Sequence, residues 1–266
     1  MTFVIPFPVI DPVLISFGPF VIRWYALAYI GGLMLGWRLM RRLVARPPVV
    51  ADDAAVDDFL IWATLGVVLG GRFGYVVFYN PGYYFENPLS IFAVWRGGMS
   101  FHGGLLGVMA ATLLFCRKRG IELWPFADRV ACVAPLGLFF GRLANFINGE
   151  LFGRVTDVPW AMVFPRGGPD PRHPSQIYEA LGEGAILFAV LLWLAGKETL
   201  RRRTGYLTGV FLAGYGAART VAEVFRQPDA HLGFLSFGTT MGQWLSAPLL
   251  VAGLVLMFRA RPENNT

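Results

Sequence analysis

The chain has 266 residues, 55% of them hydrophobic and only 15% charged, with a mean hydropathy of +0.53 and a formal net charge of +6. A soluble domain carries about 25% charged residues, and a globule this apolar would expose large hydrophobic patches; a soluble fold and intrinsic disorder are both excluded. In such a chain the excess of 23 Lys and Arg over 17 Asp and Glu concerns membrane sidedness and is no nucleic-acid footprint.

The first twenty residues hold no Lys or Arg, so they lack the charged start of a cleavable signal peptide. Apolar runs of roughly 20 residues, the length that crosses a bilayer, then recur seven times, at 20–40, 59–79, 98–116, 126–147, 175–196, 206–225 and 240–258. Breakers such as Pro47-Pro48, Asn80-Pro81-Gly82 and Arg226-Gln227-Pro228-Asp229 separate them. Segment 80–97 carries Tyr83, Tyr84, Phe85 and Trp95 beside the apolar stretch Leu89 to Val94 and is expected to lie in the membrane interface. Segment 148–174, with Val155-Thr156-Asp157-Val158-Pro159 between apolar runs, predicts a small hairpin or folded cap.

Basic residues set the orientation. Arg38, Arg41, Arg42, Arg46, Arg117, Lys118, Arg119, Lys197, Arg201, Arg202, Arg203, Arg259 and Arg261 fall on one side. Only Arg96, Arg154, Arg166, Arg172 and Arg226 fall on the other. The expected fold is therefore an all-α polytopic membrane protein with seven transmembrane helices, N-terminus outside and C-terminus cytoplasmic, forming one domain over residues 1–266. Cys116 and Cys132 lie in apolar runs and read as small core residues. There is no zinc spacing, P-loop, dinucleotide glycine motif or HExxH run, so neither metal nor cofactor is expected.

An arginine at mid-bilayer costs about 2.5–3.5 kcal/mol, so each one inside a span requires a reason. Arg23 and Arg129, near span ends, read as structural. Arg72, Arg142 and Arg219 sit on even-numbered spans about 5–7 residues before their outer ends, roughly 8–11 Å deep. Three cations at one depth read as an anion site, and the planar fork of arginine suits phosphate. The competing reading pairs each with a buried carboxylate, for which Glu223 and Glu179 are the candidates. Tyr215, Arg219 and Glu223 share one helix face at i, i+4 and i+8. Arg142 and Asn145 share another, followed by Asn148, Gly149, Glu150 and Gly153. His102 opens the third span in Ser100-Phe101-His102-Gly103-Gly104; His173 and His231 fall in outer loops. Taken alone, the cluster also admits a transporter or flippase of an anionic lipid.

The run Gly141-Arg142-Leu143-Ala144-Asn145-Phe146-Ile147-Asn148-Gly149-Glu150-Leu151-Phe152-Gly153-Arg154 resembles the signature of the bacterial prolipoprotein diacylglyceryl transferases. Arg23-Trp24-Tyr25, Ser100 to Gly104, His173-Pro174-Ser175-Gln176-Ile177-Tyr178-Glu179 and Glu223 to Asp229 extend the resemblance over nearly the whole chain. Ala144 stands where glycine is common. The resemblance implies an inner-membrane enzyme that moves the diacylglyceryl group of phosphatidylglycerol onto the lipobox cysteine of a prolipoprotein, forming a thioether and releasing glycerol phosphate. It implies membrane lipid and lipobox signal peptides as partners; no nucleic-acid partner is expected, a monomer is expected, and the charge placement puts 80–97 and 148–174 on the periplasmic side. The catalytic candidates are His102, Arg142 and Arg219; Tyr25, Arg72, Asn145, Glu150, Gly153, Tyr215 and Glu223 are candidates for substrate binding. His102 is one candidate for the proton acceptor, a tyrosine or carboxylate another.

Overall fold

The computed structural model describes residues 5–8, 10–11, 13–18, 20–94, 97–228 and 233–261; Trp95, Arg96, Asp229 and His231 lie outside the described residues. In chain order the elements are β1 (Ile5–Pro6), β2 (Val13–Phe17), β3 (Phe20–Arg23), α1 (Trp24–Val44), α2 (Asp53–Phe78) and α3 (Pro81–Glu86). A 3-10 turn (Pro88–Phe92), α4 (Phe101–Arg119), α5 (Leu123–Ile147) and β4 (Met162–Val163) follow. The chain continues through α6 (Ser175–Gly196), α7 (Glu198–Arg201), α8 (Tyr206–Phe225) and α9 (Met241–Arg259).

The protein is mostly helical, and a long helix occupies each of the seven apolar segments. Four of them, α2, α5, α6 and α9, are long and apolar enough to cross a membrane. The other three, α1, α4 and α8, span 21, 19 and 20 residues but carry arginine clusters or, in α8, Arg219 and Glu223.

Boundaries differ from the sequence reading where polar chemistry decides them. The first helix does not start at residue 20: Phe20–Arg23 is a strand paired antiparallel with Val13–Phe17. The β-branched Val21-Ile22 pair favours strand, and Gly18, at φ 54°, allows the turn between them. α2 starts before residue 59 because Asp52 caps it, its carboxylate accepting from Ala55 N at 2.7 Å. α4 is capped by Ser100 and ends at Gly120, whose φ is 66°. Inside α6, residues Ala180–Ile186 form a π turn.

The chain groups into two compact units, Met40–Ala127 and the pair Met1–Leu39 with Asp128–Thr266. In the first, α2 and α4 meet through glycines: a Cβ at Gly74 would stand 2.8 Å from Gly103 Cα. Such backbone contact is the usual way to join apolar helices tightly where no water drives them together. Phe59, Phe115 and Phe126 fill the other end, with ring centroids 4.9–5.6 Å apart. Beyond α2, Pro81–Glu86 folds as α3 and Pro88–Phe92 as the 3-10 turn, and they expose Phe85, Leu89 and Phe92.

In the second unit α8 packs on α9 through Gly209 and Gly216, which abut Gly253 and Leu250. α5 meets α6 at Gly184, where a Cβ would lie 2.7 Å from Phe139 Cβ. Asp128 and Arg129 are fully buried. Asp128 accepts from Gly205 N at 2.8 Å, Thr208 N at 2.7 Å and Thr208 Oγ1 at 2.7 Å. It thus caps α8 from another helix. Segment 148–174 is folded: β1 pairs parallel with β4, and Met162 exchanges backbone hydrogen bonds with Arg172 at 2.8 and 2.9 Å.

Candidate active site

The second unit gathers six charged side chains. Arg142 comes from α5, Glu179 and Glu183 from α6, Arg219 and Glu223 from α8, and Arg226 follows α8 directly. Glu179 and Glu183 are fully buried. Glu179 is the hub: it faces Arg142 Nε at 2.8 Å, Arg226 Nη1 at 3.0 Å and Arg219 Nη1 at 3.2 Å. Glu183 faces Arg142 Nη2 at 3.3 Å and Arg219 Nη1 at 3.6 Å. Glu223 pairs with Arg219 one turn away, and its Oε2 accepts from Thr240 Oγ1 at 2.7 Å. Three arginines thus face three glutamates, a formally neutral set. Arg142 spends Nε and Nη2 on the network and keeps Nη1 outside it.

A second cluster forms where α5 ends. Glu150 Oε1 accepts from Asn145 Nδ2 at 2.9 Å and from Asn148 Nδ2 at 3.2 Å. Gln176 Nε2 donates to the Glu150 carbonyl at 2.6 Å, and Ser175 Oγ to the Leu151 carbonyl at 3.1 Å. The start of α6 therefore holds the end of α5. Gly153 is enclosed: a Cβ there would lie 2.6 Å from His173 Cβ, His173 O and Phe225 O. Its N–H donates to the His173 carbonyl at 2.9 Å. Arg154 donates to the Arg226 and Glu223 carbonyls at 2.9 and 3.0 Å, covering the C-terminal end of α8.

His173 Nδ1 lies 3.1 Å from Tyr178 Oη, which accepts from Trp160 Nε1 at 2.6 Å. Burial and the nearby Arg154 charge hold the His173 imidazole below its ordinary pKa. Tyr25 opens α1, and its hydroxyl donates to Tyr29 Oη at 3.2 Å. Tyr215 is buried one turn before Arg219.

Two candidates belong to the other unit. His102 follows the Ser100 cap and meets the Phe101 ring edge-on, centroids 5.5 Å apart. Arg72 is buried and donates to the carbonyls of Ser90 at 2.6 Å, Ile91 at 2.8 Å, Gly97 at 2.6 Å and Gly98 at 3.1 Å. Its guanidinium stands 5.1 Å from the centroid of the Tyr84 ring.

The residues carrying this geometry lie inside one family match, described as prolipoprotein diacylglyceryl transferase, over residues 12–259. The chain belongs to the prolipoprotein diacylglyceryl transferase family. A relative from Paramagnetospirillum magneticum is 63% identical over 97% of this chain and 96% of its own length. Relatives from Rhodospirillum rubrum and Gluconacetobacter diazotrophicus are 61% and 57% identical, over 98% and 97% of this chain and 96% and 92% of their own lengths. All three are named phosphatidylglycerol–prolipoprotein diacylglyceryl transferase.

Against the sequence reading, the structure brings Arg142, Arg219 and Glu223 into one network, and Asn145, Glu150 and Gly153 into the family signature's turn. Carboxylates are more numerous than the sequence reading expects: Glu183 joins the network, and Arg226, expected in an outer loop, pairs with Glu179. The signal for Glu183 was present, since it stands one helical turn after Glu179 in an otherwise apolar run. An acid in such a position without a partner would be as costly as the arginines.

Proposed function

We propose that this chain transfers the diacylglyceryl group of phosphatidylglycerol to the cysteine thiol of a prolipoprotein, as its relatives' names state. The observation that carries the reading is the pair Arg142 and Arg219, presented by α5 and α8 from one carboxylate-held network within the family's signature. In the reaction the thiol sulfur attacks the glycerol carbon, the carbon–oxygen bond to phosphate breaks, and glycerol phosphate leaves with the bonding pair. The thiol proton passes to a base. Arg142, with Nη1 outside the network, and Arg219 stabilise the charge growing on the departing phosphate. Pre-orientation by Glu179, Glu183 and Glu223 means that no reorganisation is required when that charge appears.

A thiol of pKa about 8.5 is mostly protonated at neutral pH. His102 is the proposed acceptor of its proton. Asn145, Glu150 and Gly153 shape the binding turn, Tyr25 completes the donor set, and Tyr215 and Glu223 orient Arg219. The seven long helices and the excess of basic residues on one side support seven spans with the N-terminus outside and the C-terminus in the cytoplasm. On this reading the protein is a monomeric, single-domain enzyme of the bacterial inner membrane, with 80–97 and 148–174 on the periplasmic side.

The test uses purified protein, phosphatidylglycerol and a lipobox peptide, with the modified peptide read by mass. Wild type yields the thioether. Arg142→Ala and Arg219→Ala insert but give no product. Normal turnover in both variants refutes the assigned roles. Uptake of anionic lipid into vesicles without a covalent product favours transport instead.

A further inference from the structure

Arg72 shares with Arg142 a similar local sequence, yet its surroundings are of another kind. Arginine has five N–H groups, and four of those of Arg72 go to backbone carbonyls of residues 90–98. Among the described residues no carboxylate shares them, and little donor capacity is left for a phosphate. The carbonyls it collects belong to the stretch that leads into α4. Gly97 and Gly98 stand at φ 81° and 80°, a backbone that favours glycine. A Cβ on Gly98 would lie 2.9 Å from Arg72 Nη1 and 2.6 Å from Tyr75 Cε1. Two residues on, Ser100 N donates to the carbonyl of Gly71, the neighbour of Arg72, at 2.8 Å. Ser100 caps α4 through Gly103 N at 3.2 Å, and Gly103 rests on Gly74 of α2. His102 lies between these two anchor points.

We infer that Arg72 is a positioning residue and not a headgroup ligand. It ties Ser90, Ile91, Gly97 and Gly98 to α2 and so fixes the first turn of α4 and the backbone that carries His102. The catalytic consequence rests on the reading of His102 as proton acceptor; the structural tie does not.

The experiment measures steady-state transfer to a lipobox peptide together with amide hydrogen exchange across residues 88–104, for wild type, Arg72→Lys, Gly98→Ala and His102→Ala. Lysine keeps the charge but cannot span four carbonyls. A misplacement of about 1 Å costs on the order of a hundredfold in rate. Arg72→Lys is therefore expected to lower kcat about a hundredfold, with KM for phosphatidylglycerol within about twofold of wild type. Exchange at Ser100 and its neighbours should quicken by about tenfold or more. Gly98→Ala, which pushes on the same contacts from the loop side, should give the same split and decides the matter if Arg72→Lys does not insert. A raised KM with kcat retained makes Arg72 a headgroup ligand and overturns the inference, as does unchanged exchange in the 88–104 segment. If His102→Ala retains full kcat, the proton-acceptor reading fails, and the exchange data alone judge the tie.

Discussion

Removing one charge from the hub of the arginine–glutamate network is the most direct measure of what holds it together. In Glu179→Gln the side chain keeps its shape and one acceptor oxygen but loses its charge. Its partners are Arg142, Arg226 and Arg219, at 2.8, 3.0 and 3.2 Å, and its side chain is fully buried. Three arginines would then face two glutamates with little access to water. Breaking a buried ion pair from one side costs about 3–5 kcal/mol, because the abandoned charge stays buried. With three partners affected, Glu179→Gln belongs at the upper end of that range. Glu183 meets only two of the arginines, at 3.3 and 3.6 Å, so Glu183→Gln belongs at or below the lower end, about 2–3 kcal/mol. A gap of about 1.4 kcal/mol is tenfold in the unfolding equilibrium. Unfolding by sodium dodecyl sulfate in mixed micelles, followed by circular dichroism, resolves that gap. A Glu179→Gln protein as stable as wild type, or more stable than Glu183→Gln, would refute the hub assignment.

Gly153→Ala places a methyl against His173 and the Phe225 carbonyl at 2.6 Å; an overpacking cost of about 1–3 kcal/mol should appear in thermal unfolding, together with lost transfer to the lipobox peptide. Asp128→Ala leaves Gly205 N, Thr208 N and Thr208 Oγ1 without their acceptor and should cost about 1–3 kcal/mol. Its proteolytic signature is new cleavage near the start of α8, and an unchanged digest would exclude the cap. For His173 the folded pKa is lowered, so the unfolded chain takes up the proton first as pH falls. Any stability tied to this group is intact above about pH 6.5 and declines below it, and His173→Gln should flatten that part of the pH–stability curve.

Much of the fold was legible because the membrane imposes length and apolarity together. Runs of roughly 20 residues mark the helices, and their ends go astray only where local polar chemistry intervenes. The aspartates at the start of α2 read as loop from hydropathy, but Asp52 uses its carboxylate to begin the helix early. Phe20–Arg23 read as helix from apolarity, but with Val13–Phe17 opposite it becomes a strand. The π turn in α6 leaves no mark in composition, since it depends on how Gly184 seats against Phe139 of α5.

The site was legible to the extent that cost is visible in sequence. Every arginine inside a span demands a partner, and that argument singles out Arg72, Arg142 and Arg219. It could not separate them, because Gly71-Arg72-Phe73 and Gly141-Arg142-Leu143 differ little locally and stand at similar distances from their span ends in the sequence. The distinction is tertiary. Arg142 meets Glu179 and Glu183, supplied by a helix more than thirty residues later; Arg72 meets carbonyls turned inward by a stretch with two glycines at positive φ. Carboxylates compensate the charge of a guanidinium, whereas carbonyls only satisfy its N–H groups. The same residue type thus joins an ion-pair network in one unit and a set of backbone carbonyls in the other. The partners that decide this can be read only after the chain has folded.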